Sequence, residues 1–282
     1  MEWRGRRESS NVEDRRGISG RTVAAGGGLG TVILVVLYLL FGGGKSEDLK
    51  NILSTGAPST GSRPLTAAEK EQGDFIKVVL AETEDVWHSL LDSSTRAYRE
   101  PHLVLFSKLT ESACGFAQAA VGPFYCPGDE TIYLDLDFLA ALQQKLGAQG
   151  DFAVAYIIAH EVGHHVQKLL GIQDQFEAKR RGLDEAKSNA LSVRLELQAD
   201  YLAGVWAHHA QRTKNLLQAG DVEEGINAAG AVGDDRIQKL TRGHVVPDSF
   251  THGTSAQRVK WFLKGFQSGD PGQGDTFSAR DL

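Results

Sequence analysis

The chain has 282 residues, of which 41% are hydrophobic and 23% are charged, and its formal net charge is −6. This length allows one domain with a proper core beside flanking segments. The mild acidity argues against a nucleic-acid partner, because binding a phosphate backbone needs a basic surface.

The first predicted element is a membrane span. No residue from Thr22 to Gly44 is charged, and residues 29–41 are strongly apolar. At about 1.5 Å per residue, a helix over residues 22–42 can just cross a hydrocarbon core of roughly 30 Å. A cleaved signal peptide is the rival interpretation, but the preceding segment is long and no Ala-x-Ala site follows. We therefore predict a retained transmembrane helix.

The charges around this span predict its orientation. Six arginines precede it, whereas Lys45 and Lys50 follow it together with Glu47 and Asp48. The positive-inside rule then places residues 1–21, a basic segment, in the cytoplasm. The predicted protein is a single-pass membrane protein whose following domain lies on the outer side of the membrane.

Composition divides the rest of the chain into three parts. Residues 43–66 predict a flexible linker, and residues 268–282 predict a disordered tail. Between them, residues 67–267 are predicted to form one domain. Apolar side chains recur there at helical spacing over residues 69–91, while residues 103–106 and 131–134 are short apolar runs typical of strands. The predicted fold class is mainly α with a small β-sheet (α+β).

Two cysteines, Cys114 and Cys126, frame a short loop. In an oxidising compartment outside the membrane, the simplest interpretation is one disulfide that closes this loop. Two buried free thiols are the alternative, which a cytoplasmic domain would require. Neither cysteine is a predicted zinc ligand, because no CxxC pattern or histidine at ligand spacing accompanies them.

The motif that decides the chemistry is His-Glu-x-x-His, formed by His160, Glu161 and His164. It lies inside a predicted helix that begins at Asp151 and stops before Gly171. Histidines four residues apart share a helix face, so both rings can reach one zinc ion while Glu161 points at its water molecule. A buried helix with two hydrogen-bonded histidines is the alternative, but burying the glutamate without a metal or a partner is costly.

Catalytic zinc usually takes a third protein ligand, and the best candidate lies on the next predicted helix, over residues 184–209. There Glu196 and Asp200 stand four residues apart among apolar neighbours. We predict that Glu196 is the third ligand and that Asp200 accepts the free ring N–H of His160 or His164. The main alternative is that Asp200 itself is the third ligand. The other alternative is that both carboxylates lie on a solvated helix face and bind no metal.

Five sequence motifs extend beyond the zinc-binding pattern. They are S-A-C-G at 112–115, G-P-F-Y-C-P at 122–127, A-H-E-V-G-H-H-V-Q at 159–167, Q-A-D-Y-L-A-G-V-W-A at 198–207 and D-S-F-T-H-G-T-S-A-Q-R at 248–258. Together they resemble the bacterial neutral zinc metallopeptidase family. The resemblance runs from about residue 67 to 267 and implies a mostly helical zincin domain. Together with the predicted membrane span, it predicts a bacterial cell membrane as the location, with the domain in the periplasm or outside the cell. In zincins a strand placed like residues 131–134 pairs with the extended substrate.

The second helix is also similar to that of HtpX-type and CAAX-prenyl-protease-type peptidases, which carry the same Glu-x-x-x-Asp pattern. Residues 251–258 follow the layout of the HtpX-type Thr-His-Pro-Pro-Thr segment and arginine, without the prolines. This resemblance implies that His252 stabilises the tetrahedral oxyanion. A loop histidine beside a helix cap at Thr251 or Thr254 is the alternative.

The predicted function is membrane-anchored hydrolysis of peptide bonds in a peptide or protein substrate, that is, a metalloendopeptidase. One Zn²⁺ per chain is held by His160, His164 and Glu196, and Glu161 is the general base that later protonates the leaving amine. A catalytically inactive, membrane-anchored binding or scaffold protein with a zincin fold is one alternative, which the presence of Glu161 weakens. A di-iron carboxylate protein is another, but the sequence lacks a second Glu-x-x-His pattern.

Overall fold

The computed structural model describes residues 1–16, 64–91, 97–107, 109–118, 122–136, 138–140 and 150–282. The strands are β1 (Val12–Asp14), β2 (His102–Phe106), β3 (Leu109–Ser112), β4 (Gly115–Gln118), β5 (Phe124–Cys126) and β6 (Thr131–Asp135). The helices are α1 (Ala67–Leu91), α2 (Asp151–Leu169), α3 (Ile172–Arg180), α4 (Glu185–Lys214), α5 (Asp221–Ala231), α6 (Asp234–Arg242) and α7 (Ser255–Ser268), with 3-10 helices at Pro247–Ser249 and Pro271–Gln273. The described chain is mainly helical with a small mixed sheet, which confirms the predicted α+β class.

Local sequence signals explain where the long helices begin. Thr66 and Glu69 form a capping box at the start of α1, since the Thr66 hydroxyl accepts from the Glu69 N–H and the Glu69 carboxylate accepts from the Thr66 N–H. Asp184 caps α4 by accepting from the Lys187 N–H at 2.9 Å. The end of α2 is followed by Gly171, whose φ of 75° is left-handed.

The four-stranded sheet has the order β1-β2-β6-β5. Strand β2 runs parallel to both β1 and β6, whereas β5 runs antiparallel to β6. All five residues of β6 are buried, as expected for a strand with a neighbour on each side. The strand predicted to pair with a substrate is therefore an inner strand, and among the described residues β5 has one edge free of a strand partner.

Residues 1–16 pack against described residues of the domain that follows. Strand β1 pairs with β2 from Val12↔Leu103 onward, and the Met1 ammonium group lies 3.0 Å from Asp151 and 3.3 Å from Asp221. The predicted topology put residues 1–21 in the cytoplasm and the domain across the membrane. This localisation is wrong, because segments on opposite sides of a bilayer cannot pair strands or share buried charges.

The predicted span itself, residues 22–42, lies outside the described residues, as does the predicted linker up to residue 63. Within the described part of the chain, no helix combines the length and the apolar character needed to cross a membrane. A single-pass anchor therefore has no support in the structure.

Two arginines near the N-terminus have partners on α1. Arg7 contacts Glu84 at 2.9 Å and Asp85 at 2.7 Å, and Arg6 lies 3.4 Å from Glu82. Glu82 and Glu84 are only 2% and 1% exposed, so their charges need cations nearby. Arg6 and Arg7, which counted toward the predicted membrane orientation, are thus part of the folded domain.

The C-terminal segment after α7 also packs on the domain, where a disordered tail was predicted. Gln198 donates to the Gly274 carbonyl at 2.9 Å, and Arg194 donates to the carbonyl groups of Thr276 and Ala279. Thr276 is fully buried. Side chains of α4 hydrogen-bond the backbone of this polar segment, which its composition alone does not reveal.

The core is formed where α2 packs against α4, α5 and α1. Helices α4 and α7 approach most closely through glycines: a Cβ atom on Gly204 would clash with the Phe262 carbonyl, and one on Gly265 would clash with the Tyr201 carbonyl. Tryptophans 87, 206 and 261 are among the largest fully buried side chains. This packing fixes the relative positions of the three helices that carry the candidate site.

Candidate metal centre

Helices α2 and α4 bring together the three predicted ligands. Nε2 of His160 lies 3.2 Å from one carboxylate oxygen of Glu196, and Nε2 of His164 lies 3.5 Å from the other. One ligand atom from each residue falls within 4.8 Å of the other two. Ligand atoms about 2 Å from a tetrahedral zinc ion lie about 3.3 Å from one another. The spacing and the donor set, two imidazoles and one carboxylate, fit zinc.

The second nitrogen of each ring is engaged elsewhere. Nδ1 of His160 lies 2.8 Å from Asp200, and Nδ1 of His164 lies 2.9 Å from the side-chain oxygen of Gln167. Because both acceptors face Nδ1–H, each Nε2 is the nitrogen that can present a lone pair to a metal ion at the centre. Gln167 was not predicted, although its position three residues after His164 places it on the same helix face.

Asp200 is the centre of a buried hydrogen-bond network. Arg258 donates to both of its carboxylate oxygens, at 2.8 and 2.9 Å, and the Tyr156 hydroxyl donates to one of them at 2.5 Å. Asp200 is fully buried, which opposes ionisation, but Arg258 and His160 outweigh burial and lower the pKa of Asp200 to about 2. The sequence predicted that Asp200 accepts from His160 or His164, and the structure has it beside His160. Tyr156 and Arg258 were not predicted, since each is more than 40 residues away from Asp200 in the chain.

Without an ion, the His160 ring sits between two carboxylates. Burial disfavours its charged form, but the charge and hydrogen bond of Asp200, together with Glu196, raise the pKa of His160 to about 10. A ligand imidazole must be neutral at the nitrogen that binds metal, so zinc binding here displaces a proton.

The three predicted ligands line a cleft of about 410 Å³. Glu161 lines it from α2, and only 7% of that residue is exposed. The lining also includes the apolar residues Pro123, Phe124, Phe138, Ile157, Val232 and Ile237. A lining that combines apolar side chains with a few polar groups is typical of a pocket that binds an organic ligand or substrate.

His252 lines the same cleft from the segment before α7, and its side chain is 50% exposed. The cap of α7 belongs to a different residue: Thr254 accepts from the Gln257 N–H, and the Gln257 side chain accepts from the Thr254 N–H. The helix cap and the cleft histidine are thus separate features of one short segment.

The edge strand β5 is fixed beside the cleft in two ways. The predicted disulfide between Cys114 and Cys126 is confirmed, and it joins the turn of the β3–β4 hairpin to β5. Tyr125 of β5 donates from its hydroxyl to Nδ1 of His165 at 3.0 Å, while Nε2–H of that ring donates to the Arg99 carbonyl at 2.6 Å. His165 follows the ligand His164 but points away from the metal centre.

Comparisons with known proteins also point to zinc. A profile of the family described as "Putative neutral zinc metallopeptidase" matches residues 1–277. The uncharacterized protein YpfJ of Escherichia coli K12 is 48% identical over 286 residues, which cover 98% of this chain and 99% of YpfJ. The uncharacterized protein Rv2575 of Mycobacterium tuberculosis H37Rv is 46% identical over 207 residues, 70% of this chain and 68% of its own length. No solved structure matches the chain.

Proposed function

Because this chain belongs to the neutral zinc metallopeptidase family, we propose that it hydrolyses peptide bonds with one zinc ion held by His160, His164 and Glu196. The observation that carries the proposal is the arrangement of the two rings. Both Nε2 atoms face Glu196, at 3.2 and 3.5 Å, while both Nδ1 atoms are engaged by Asp200 and Gln167. Two imidazoles fixed in this tautomer beside a carboxylate are the ligand set of a glutamate-type zinc peptidase.

Zinc bound at this centre supplies Lewis-acid chemistry, since it lowers the pKa of a water molecule and polarises a carbonyl group. Glu161 is adjacent to the ligand His160 and lines the cleft. Its carboxylate takes the proton that the attacking water loses and later delivers that proton to the leaving amine. His252 donates an N–H to the carbonyl oxygen as it becomes an oxyanion.

Asp200 and Arg258 support the ligands. The two hydrogen bonds from Arg258 keep Asp200 ionised and in place. Asp200 in turn accepts Nδ1–H of His160, which leaves Nε2 for the metal. Tyr156 adds a third donor to the same carboxylate.

The cleft favours a peptide in extended conformation with an apolar side chain near the scissile bond. Strand β5 is an edge strand in the described sheet, and its residues Phe124 and Tyr125 line the cleft. An extended peptide can therefore add to the edge of β5 by backbone hydrogen bonds. Ile157 and Ile237 also line the cleft and offer apolar surface to a substrate side chain.

The decisive experiment compares Glu161→Gln with the wild type. Zinc content is measured on the purified protein, and hydrolysis is measured with casein and a peptide library. We expect Glu161→Gln to keep one zinc per chain and to lose hydrolysis, because the glutamate acts on water and not on the metal. Glu177→Gln, on the exposed face of α3, is the matched control. A Glu161→Gln protein that cleaves at the wild-type rate contradicts the mechanism, and a wild type that binds zinc but cleaves nothing favours a binding or scaffold protein.

A further inference from the structure

Asp234, in the first turn of α6, holds the backbone of the segment that carries His252. One of its carboxylate oxygens, Oδ2, accepts from three consecutive backbone N–H groups: those of Thr251 at 2.8 Å, His252 at 2.7 Å and Gly253 at 3.0 Å. In return, the Asp234 N–H donates to the Gly253 carbonyl at 2.9 Å. Gly253 has a φ of 94°, so the chain turns tightly around this carboxylate.

The second oxygen of Asp234, Oδ1, lies 3.3 Å from Nδ1 of His252. The Thr251 hydroxyl lies 3.0 Å from the same nitrogen. Within the described residues Nε2 of His252 has no hydrogen-bond partner, although the ring lines the cleft that contains the candidate metal centre. One nitrogen of the ring is therefore held by the protein, and the other is available to a molecule in the cleft.

We propose that Asp234 is the positioning residue of His252: it fixes the ring through Nδ1–H and directs Nε2–H at the oxyanion that forms in the cleft. This inference rests on the proposed peptidase function. A histidine that donates from both nitrogens carries a positive charge, and a charged donor stabilises an oxyanion more strongly than a neutral donor does. A carboxylate behind the ring stabilises that doubly protonated form.

Only an ionised carboxylate satisfies all of these donors. Three backbone N–H groups and one ring N–H converge on Asp234, and both of its oxygens must accept. Burial works against the charged form, yet the hydrogen bonds and charge of His252, with the N–H of Gly253, hold the pKa of Asp234 below its ordinary value. The segment that carries His252 therefore has its observed conformation with Asp234 ionised.

The neighbouring residue provides a matched control. Asp235 accepts from the N–H and the hydroxyl of Ser255, at 2.8 and 2.9 Å, and so holds the start of α7. It has the same charge and lies in the same helical turn as Asp234. No described contact joins Asp235 to His252. A substitution of Asp235 therefore measures the effect of removing one negative charge from this helical turn without changing a contact to His252.

The test begins with a measurement that needs no activity. In Asp234→Asn the amide oxygen still accepts the hydrogen bonds from the three backbone N–H groups. The amide NH2 then faces Nδ1 of His252 and cannot accept a hydrogen bond from it. Ring ¹⁵N NMR on the zinc-loaded full chain, with His252→Ala to assign the signal, should show protonated Nδ1 in the wild type and Asp235→Asn. Asp234→Asn should show unprotonated Nδ1 and protonated Nε2. An unchanged His252 signal in Asp234→Asn, or a loss of Nδ1 protonation in Thr251→Val instead, overturns the proposal.

Kinetics then test what the contact does. We expect Asp234→Asn to lower kcat roughly tenfold with KM and zinc content unchanged, and to lower it no further in a His252→Ala background. Asp235→Asn should keep near-wild-type kcat. An additive loss in the double variant shows that Asp234 acts by another route and overturns the positioning role. If the NMR result is as expected but the wild type hydrolyses no peptide, the ring contact stands and the proposed function fails.

Discussion

The carboxylate of Asp200 accepts a hydrogen bond from Nδ1 of His160 at 2.8 Å. His160 lies on α2 and Asp200 on α4, while Arg258 reaches the same carboxylate from α7. Three helices distant in sequence therefore meet at one buried anion. The tautomer of a metal-facing histidine depends on all three, so the candidate centre and the packing of the domain are coupled.

The first prediction separates the roles of the two carboxylates on α4. Glu196→Ala removes a direct ligand, so zinc content should fall well below one per chain. Asp200→Asn keeps the ligands but weakens their support, so zinc affinity should fall by about ten- to a hundredfold. Zinc content is measured after dialysis against a graded chelator, and affinity by competition. Glu185→Gln, exposed at the start of α4, is the control.

Asp200→Asn should also lower the free energy of unfolding, because Arg258 is 4% exposed and would lose its anion. Breaking a buried ion pair on one side costs about 3–5 kcal/mol. If zinc stays at one per chain in Glu196→Ala and is lost in Asp200→Ala, the roles of the two carboxylates are reversed.

The second prediction concerns the pH dependence of stability. Burial lowers the pKa of His165 below its ordinary value. The unfolded chain therefore takes up a proton at this residue at about pH 6.5, where the folded chain does not. A group of this kind contributes stability that is present above about pH 6.5 and is lost as pH falls toward the folded pKa. The loss per histidine is at most about 1.4 kcal/mol per pH unit.

His165→Gln removes this titration. Denaturant unfolding of the zinc-loaded protein between pH 5 and 7.5 should give a shallower pH slope for His165→Gln than for the wild type, even though the variant is less stable overall. His244→Gln, at an exposed histidine, should keep the wild-type slope. Equal slopes for wild type and His165→Gln would show that His165 protonates equally in both states.

The sequence predicted the parts of the site that follow helical periodicity. His160 with His164, and Glu196 with Asp200, are pairs at i and i+4, and each pair lies on one helix as expected. Tyr156 and Arg258 were missed because their roles exist only after three helices have packed. The membrane prediction failed for a related reason. Arg7 bonds Glu84 and Asp85, more than 70 residues later in the chain, and a count of neighbouring charges in the sequence does not include such partners.

The third prediction concerns the disulfide. Cys126 of β5 is fully buried and bonded to Cys114, 12 residues earlier. Closing a loop of this length stabilises the fold by about 3 kcal/mol through the unfolded chain. Cys114→Ser/Cys126→Ser should therefore unfold at lower urea concentration, and KM should rise because β5 lines the cleft. Dithiothreitol should reproduce both effects in the wild type and change nothing in the double variant. A wild type whose stability and KM are unchanged by dithiothreitol would contradict the role of this bond.

The last prediction concerns the contact between α4 and α7. A Cβ atom on Gly265 would clash with the Tyr201 carbonyl oxygen and lie 2.9 Å from its carbon, and both are backbone atoms that cannot rotate away. Gly265→Ala must therefore push the helices apart. We expect it to destabilise the fold by about 3 kcal/mol, although alanine favours a helix by about 1 kcal/mol over glycine.

The matched control is Gly230→Ala on α5, where the nearest atom to a new Cβ, on Val259, is 3.7 Å away. That variant should be unchanged or stabilised by up to about 1 kcal/mol. Because Arg258 and Asp200 face each other across the same helix pair, Gly265→Ala should also weaken zinc binding, whereas Gly230→Ala should not. Urea unfolding measures the stability of each variant, and zinc competition measures its affinity for zinc. Equal stability and equal zinc affinity in the two variants would show that the α4–α7 contact does not determine the geometry of the metal centre.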